Sequence, residues 1–139
     1  MFPFITNRKI RIAIVGCGRI TKNHFNSIEK HSEDMELVAV CDIDQTVLLA
    51  HQQTHGVPGY RKLEAMLEAE RPDLVVLCTP SGLHSDQAIA AARHGINVMT
   101  EKPMATRWGD GVRMVKACDQ AGVRLFVVKQ NRRNTTLQL

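Results

Sequence analysis

"KIRIAIVGCGRIT", residues 9–21, decides how the rest of the chain is read. Its first seven residues are β-rich and apolar, alternately at first and then almost continuously, as in a strand buried on both faces. Gly16 and Gly18 follow at once, and a helical pattern over about 19–31 begins where they end. In a strand–turn–helix of this kind the first glycine permits a tight reversal. The second lets backbone approach a diphosphate at the helix N-terminus. The third position of the pattern is Thr21, where glycine or alanine usually allows close helix–strand packing. A purely structural glycine turn is the competing explanation at this point.

The alternation that begins there runs through the whole chain, with no repeat, low-complexity stretch or linker. Further strands are expected over 36–42, 57–61, 73–80, 97–101 and 124–130. Helices are expected over 45–55 with Gly56 as stop, 62–70 ending before Pro72, 84–95 with Gly95 as stop, and 106–122. The tail, 131–139, reads as the opening of another helix. Apolar strands alternating with helices predict a parallel sheet covered on both faces, hence a doubly wound α/β (Rossmann) fold. Ligands of such sheets bind beyond the carboxyl ends of the strands.

The chain has 139 residues, 44% hydrophobic and 23% charged, which suits a single domain with its own core and excludes disorder or a coiled coil. No apolar run is long enough to span a bilayer, so no membrane partner is expected. The N-terminus lacks the pattern of a signal peptide, and a cytoplasmic protein is expected. Four cysteines, Cys17, Cys41, Cys78 and Cys118, show no C-x-x-C pairing and read as reduced thiols. Three lie at predicted strand ends and face one another in this topology, but their spacing is not that of a metal site, and none is expected. The formal charge of +4 is dispersed, and aromatic residues are only 4%. That argues against nucleic acid and for attraction of a small anionic ligand.

Candidate chemistry collects at the strand ends. Asp42 closes the second strand, where a carboxylate accepts from the hydroxyls of an adenosine ribose and repels a ribose phosphate. With the glycine turn it points to NAD rather than NADP. Asp44 is the better candidate to cap the following helix. In "TPSGLH", Thr79, Pro80 and Ser81 form a loop beside the first strand, placed to line the nicotinamide end of such a cofactor, with Ser81 or Ser85 capping the next helix. His84 is either a base or a structural helix-start histidine. The remaining histidines, His24, His31, His51, His55 and His94, are expected on the surface or at helix ends. In "MTEKPMATRWGD", residues 99–110, Lys102 emerges at the end of the fifth strand, level with the glycine turn. A lysine there suits an alcohol undergoing oxidation: it donates to the oxygen, stabilises developing negative charge or takes the proton. Glu101 is placed to orient or pair with it, and Pro103 stops the strand. A solvated charged turn is the alternative.

"GCGRI", "CDID", "TPSGLH", "EKPMA" and "VVKQNRR", in this order, resemble the N-terminal domain of the glucose–fructose oxidoreductase/inositol dehydrogenase (Gfo/Idh/MocA) family. The resemblance covers essentially the whole chain, and E-K-P is its most specific mark. It implies an NAD-dependent oxidoreductase with Lys102 as catalytic residue. It also implies cofactor contacts from Gly16, Gly18, Arg19, Ile20, Asp42, Ile43, Thr79, Pro80, Ser81, His84, Glu101, Lys102 and Gln130. The fuller wording is most similar to the family's bacterial UDP-N-acetylglucosaminuronate dehydrogenases of lipopolysaccharide synthesis. Those oxidise the C3 hydroxyl of a UDP-sugar acid, with Lys102, Asn131 and Arg132 (or Arg133) on the substrate side. An inositol or free-sugar dehydrogenase and a non-catalytic NAD-binding module are the alternatives. Trp108 either contacts the cofactor or packs the helix start. The resemblance implies an NAD-binding domain over 1–131 and the start of a second domain over 132–139. That second domain, absent from this chain, would complete the substrate pocket and a homo-oligomer.

Overall fold

The computed structural model describes residues 4–133, with side chains to Arg132, so most of the tail and of the expected 132–139 segment lies outside the described residues. The elements are β1 (Ile10–Val15), α1 (Thr21–Lys30), β2 (Met35–Cys41), α2 (Gln45–His55), β3 (Gly59–Tyr60), α3 (Leu63–Glu70), β4 (Leu74–Leu77), α4 (His84–Arg93), β5 (Asn97–Thr100), α5 (Trp108–Ala121) and β6 (Leu125–Val127). One-turn 3-10 helices occupy Ser81–Leu83 and Gln130–Arg133. All six strands are parallel, in the order β3-β2-β1-β4-β5-β6. The order reverses between β1 and β4, which creates a crevice at their carboxyl ends.

Period-two alternation sends successive side chains of one strand into different layers. Ala13, Val15, Val75 and Leu77 pack with Leu63, Met66, Ala88, Ala91 and Met114 of α3, α4 and α5. Ile12, Ile14 and Val76 pack on the other face with Phe25, Ile28 and Leu48 of α1 and α2. Burial on both faces is why β1 and β4 read as almost unbroken apolar runs.

The helix ends follow local chemistry. The Asp44 carboxylate caps α2, accepting from the amides of Thr46 (2.8 Å) and Val47 (3.2 Å). Gly56 ends that helix in the left-handed region at φ 65°. Ser85 does not cap α4 as expected; its hydroxyl donates to the carbonyl of Asp110 at 3.0 Å and ties α4 to α5. Ser85 is buried, and a buried hydroxyl needs such a partner.

Two histidines expected at the surface prove half-buried. Phe25 stacks on His55 and His51, with ring centroids 4.1 and 5.0 Å apart, between α1 and α2. Burial, and then proximity to His51, holds the His55 pKa below its ordinary 6.5. The unfolded chain therefore binds more protons than the folded one as pH falls through 6.5, and stability decreases in that direction. Denaturant unfolding is expected to give a lower free energy at about pH 5.5 than at about pH 7.5, and His55→Phe to flatten that difference. An unchanged slope in the variant would refute the assignment.

Candidate functional site

The last residues of the six strands stand in one row: Tyr60, Cys41, Val15, Leu77, Thr100 and Val127 are neighbours in register. The residues that follow them, Arg61, Asp42, Gly16, Cys78, Glu101 and Val128, therefore arrive together at one edge. The ladder continues one bond beyond the strands. Gly16 N donates to Cys41 O at 2.8 Å, Cys78 N to Val15 O at 2.8 Å and Glu101 N to Leu77 O at 3.0 Å.

Gly16 sits at φ +82°, and a Cβ there would lie 2.8 Å from the backbone nitrogen of Thr79. The turn closes against β4 only with glycine. At Gly18 the added Cβ meets nothing within 4 Å. Its missing side chain leaves open backbone above the start of α1. That helix has no side-chain cap and no acid in its first turn, so no side chain of its own neutralises its positive end. The Thr21 and Asn23 amides do donate, to Gly18 O at 3.2 Å and Ile20 O at 3.3 Å. Thr21, the departure from the glycine pattern, is 1% exposed. Its hydroxyl donates to the carbonyl of Gly18, which lets a polar side chain occupy a packed position.

The Asp42 carboxylate is held by two backbone amides, Cys17 N at 2.7 Å and Asp44 N at 2.8 Å, one on each oxygen. Each oxygen keeps a further acceptor site. Asp42 borders a cleft of about 360 Å³ between the glycine loop and Thr79, Pro80 and Leu83. Ile43, 82% exposed, and Leu83, 49% exposed, flank it with apolar surface. Arg61 and Gln87 also line it, and neither is among the residues singled out from the sequence. Arg61 donates to the carbonyl of Ile43 at 3.2 Å, and Gln87 accepts from the Thr79 hydroxyl. Arg61 can be reached by counting one residue past β3.

Lys102 is exposed and borders a second hollow of about 420 Å³ with Val128, Lys129, Gln130, Asn131 and Arg132. Four sequence-predicted residues, Lys102, Gln130, Asn131 and Arg132, thus meet. Arg19 and Ile20 lie exposed at the start of α1, and Ser81 opens the 3-10 turn beside Thr79.

Glu101 differs from the expectation. It is 9% exposed, and its Oε1 lies 2.7 Å from Nε2 of His24 on α1. Its Oε2 accepts from the backbone amide of Lys102 at 3.4 Å. Glu101 therefore pairs with His24 rather than with the lysine ammonium, and His24 is not a surface residue. The signal is present in the sequence: His24 falls between buried Thr21, Phe25 and Ile28, at the i, i+3, i+4, i+7 spacing of an inward face.

His84 is 1% exposed, with Nδ1 3.0 Å from the carbonyl of Pro103 and Nε2 2.9 Å from that of Thr79. Both ring nitrogens face backbone carbonyls and the ring is buried, which is the arrangement of a structural histidine rather than an exposed base. The side chain instead joins the 79–83 loop to the 101–103 loop. Trp108 is 88% exposed and does not pack the start of α5.

Burial, followed by the charge of Asp42, pushes the Cys17 thiol up to about 12 and that of Cys41 to about 11. Burial, followed by Glu101, raises Cys78 to about 12. These thiols stay protonated near neutral pH and are poor nucleophiles. Among the described residues, no group of three or more His, Cys, Asp or Glu is arranged to hold a metal ion, and no helix is long and apolar enough to cross a membrane.

Against known proteins, residues 10–129 match the family GFO_IDH_MocA, described as "Oxidoreductase family, NAD-binding Rossmann fold". The fold superposes on a crystal structure of the WlbA dehydrogenase from Bordetella pertussis in complex with NADH and UDP-GlcNAcA. The TM-score is 0.92 at 57% identity, over 94% of this chain and 40% of that one. D-apiose dehydrogenase of Paraburkholderia graminis is 34% identical over 134 residues, covering 96% of this chain and 36% of that enzyme. Inositol 2-dehydrogenase 4 of Saccharopolyspora erythraea is 34% identical over 133 residues, 93% of this chain and 38% of that enzyme. The chain thus spans well under half the length of these relatives.

Proposed function

The chain belongs to the Gfo/Idh/MocA oxidoreductase family, and from that premise we propose that it is the NAD-binding part of a dehydrogenase oxidising the C3 hydroxyl of UDP-N-acetylglucosaminuronate. The observation that carries this reading is the position of Lys102. It follows Glu101 of the strand-end row and lines a hollow with Lys129 and Arg132, and the cleft suited to a dinucleotide opens on the same row at Gly16 and Asp42. The similarity to a dehydrogenase structure holding NADH and UDP-GlcNAcA supports the substrate assignment.

NAD, when bound, supplies the hydride acceptor. The amide end of α1 and the open backbone at Gly18 take the diphosphate, and Asp42 accepts from the adenosine ribose hydroxyls. Ile43 and Leu83 offer apolar cover to an adenine ring. Lys102 donates a hydrogen bond to the reacting hydroxyl oxygen, stabilises charge as the ketone forms, and receives the hydroxyl proton when it is itself deprotonated. The cations Lys129 and Arg132 attract the anionic sugar nucleotide. We take residues 1–131 as this domain. The second domain and the oligomer it would form rest on family resemblance. Free cysteines at all four positions support a cytoplasmic setting.

Product analysis of a full-length enzyme carrying this domain tests the reading. NADH and a 3-keto sugar acid should form from UDP-N-acetylglucosaminuronate, faster than from inositol or free sugars. Preference for a polyol would move the substrate within the family. Nucleotide binding without turnover of any of them would leave a binding module.

Cofactor choice gives a separate test. Asp42→Asn removes the charge that repels a ribose phosphate and weakens the acceptor to the ribose hydroxyls. NAD affinity is expected to fall by about tenfold, with the NADP-to-NAD ratio rising, since hydrogen bonds to charged groups contribute about 1.5–3 kcal/mol. Parallel titration of both cofactors reads it, and an unchanged ratio would remove Asp42 from that role.

A further inference from the structure

Glu101 is the only buried carboxylate among the described residues. Its backbone is fixed at both ends: Glu101 N donates to Leu77 O at 3.0 Å, and the Thr100 hydroxyl donates to Glu101 O at 3.0 Å. Its carboxylate reaches two partners on different elements. His24 of α1 holds one oxygen at 2.7 Å, and the amide of Lys102 approaches the other at 3.4 Å. His24 and Glu101 keep side-chain exposures of only 16% and 11%, so water is a poor substitute for either. One turn before His24, the Thr21 hydroxyl is bonded to Gly18 O. A continuous path therefore runs from the glycine turn through α1 and His24 to Glu101 and the peptide that carries Lys102.

We propose that His24 is a positioning residue for Lys102. By occupying Glu101 it fixes the peptide from which the lysine side chain departs and ties it to the helix facing the cofactor diphosphate. It also keeps the carboxylate from turning to the neighbouring ammonium. Without His24, Glu101 loses its strongest partner, and the residue next to it in the chain, Lys102, carries a cation able to replace it. An ion pair there would draw the lysine away from the reacting oxygen. The inference rests on the role assigned to Lys102 above.

The test uses a full-length enzyme carrying this domain, with whichever substrate the wild type turns over. His24→Leu deletes the contact. His24→Gln places an amide nitrogen near the former Nε2 and keeps a donor to Glu101. A positional error of about 1 Å can cost about 100-fold in rate. His24→Leu is accordingly expected to lower kcat by about 10- to 100-fold, with the KM for NAD within about threefold of wild type. His24→Gln should recover most of the loss. Recovery by glutamine and an intact KM separate positioning from general damage, which thermal melting of both variants also monitors. A kcat within twofold of wild type for His24→Leu, or equal losses in both variants, overturns the proposal. Lys102→Ala, assayed alongside, distinguishes the two claims. If it abolishes turnover while His24→Leu does not, only the positioning role fails; if it leaves turnover intact, the role of Lys102 fails and takes this one with it.

Discussion

Lys102→Ala, made in a full-length enzyme carrying this domain, is expected to lower kcat by about 10²- to 10⁴-fold while NADH binding stays within about threefold of wild type. The magnitude is that of a positioned proton-transfer group. The split follows from geometry. Lys102 is exposed and lines the second hollow with Gln130 and Arg132, whereas the cleft bordered by Gly16, Gly18 and Asp42 does not include it. Its removal also leaves no buried partner stranded, because Glu101 is held by His24. Lys102→Arg sharpens the result. Arginine keeps the positive charge but does not give up its proton at accessible pH. A variant with arginine that remains near the alanine level indicates proton transfer; one that recovers most of the rate reduces the role of Lys102 to electrostatic stabilisation. Rates read by NADH absorbance and binding read by NADH fluorescence supply both quantities. Turnover within about threefold of wild type for Lys102→Ala would remove the residue from the chemistry.

Much of this arrangement is legible in the amino-acid sequence. The central strands are apolar on both faces because two helical layers cover them, so β1 and β4 are visible as unbroken runs, although the run over 73–80 continues three residues past the end of β4 at Leu77. The bounds of α2 agree with the expectation, since Asp44 and Gly56 are strong local signals. Strand ends are less legible. The pattern over 124–130 predicts extended chain throughout, but β6 stops at Val127, and a 3-10 turn begins at Gln130. Only Val128 N continues the ladder, to Thr100 O at 3.0 Å. Nothing in "VVKQ" itself marks where pairing ends, because pairing depends on the length of β5 beside it.

The site divides along the same line. Gly16, Asp42, Thr79 and Lys102 can be placed by position alone, each being within two residues of the end of a strand. Their partners cannot. Glu101 and His24 are 77 residues apart, and their contact depends on how α1 lies across the end of β5. Adjacent opposite charges in "EK" suggest a local pair, yet the carboxylate is buried against His24 and the lysine is exposed. His84 presents the same lesson. Its two carbonyl partners belong to loops that only the β4–β5 pairing brings together.

The glycine turn gives the other large expected effect, and three substitutions separate its causes. Gly16→Ala places a Cβ 2.8 Å from Thr79 N and 2.9 Å from Cys78 C, at a backbone φ of +82°. Both obstacles are main chain, held by the Cys78 N to Val15 O bond of 2.8 Å, so relief requires the turn and β4 to part. Left-handed strain of about 1–2 kcal/mol and overpacking of about 1–3 kcal/mol together predict a loss of about 2–5 kcal/mol in unfolding free energy. NADH binding should be lost with it, since the turn that aims the amides is displaced. Gly56→Ala shares the positive φ, at +65°, but meets nothing within 4 Å. It should cost only the conformational part, about 1–2 kcal/mol, and leave binding intact. Gly18→Ala is the converse. It has no contact within 4 Å and no left-handed φ, so the protein should fold as before. Its new methyl would nonetheless stand where the diphosphate approaches, and NADH affinity should fall by at least about tenfold. Denaturant unfolding and NADH titration on the three variants give the pattern directly: both properties lost at Gly16, stability alone at Gly56, binding alone at Gly18. Retained affinity in Gly18→Ala would mean that the glycine turn serves only the fold, and the cofactor site would have to be sought elsewhere on the strand-end row.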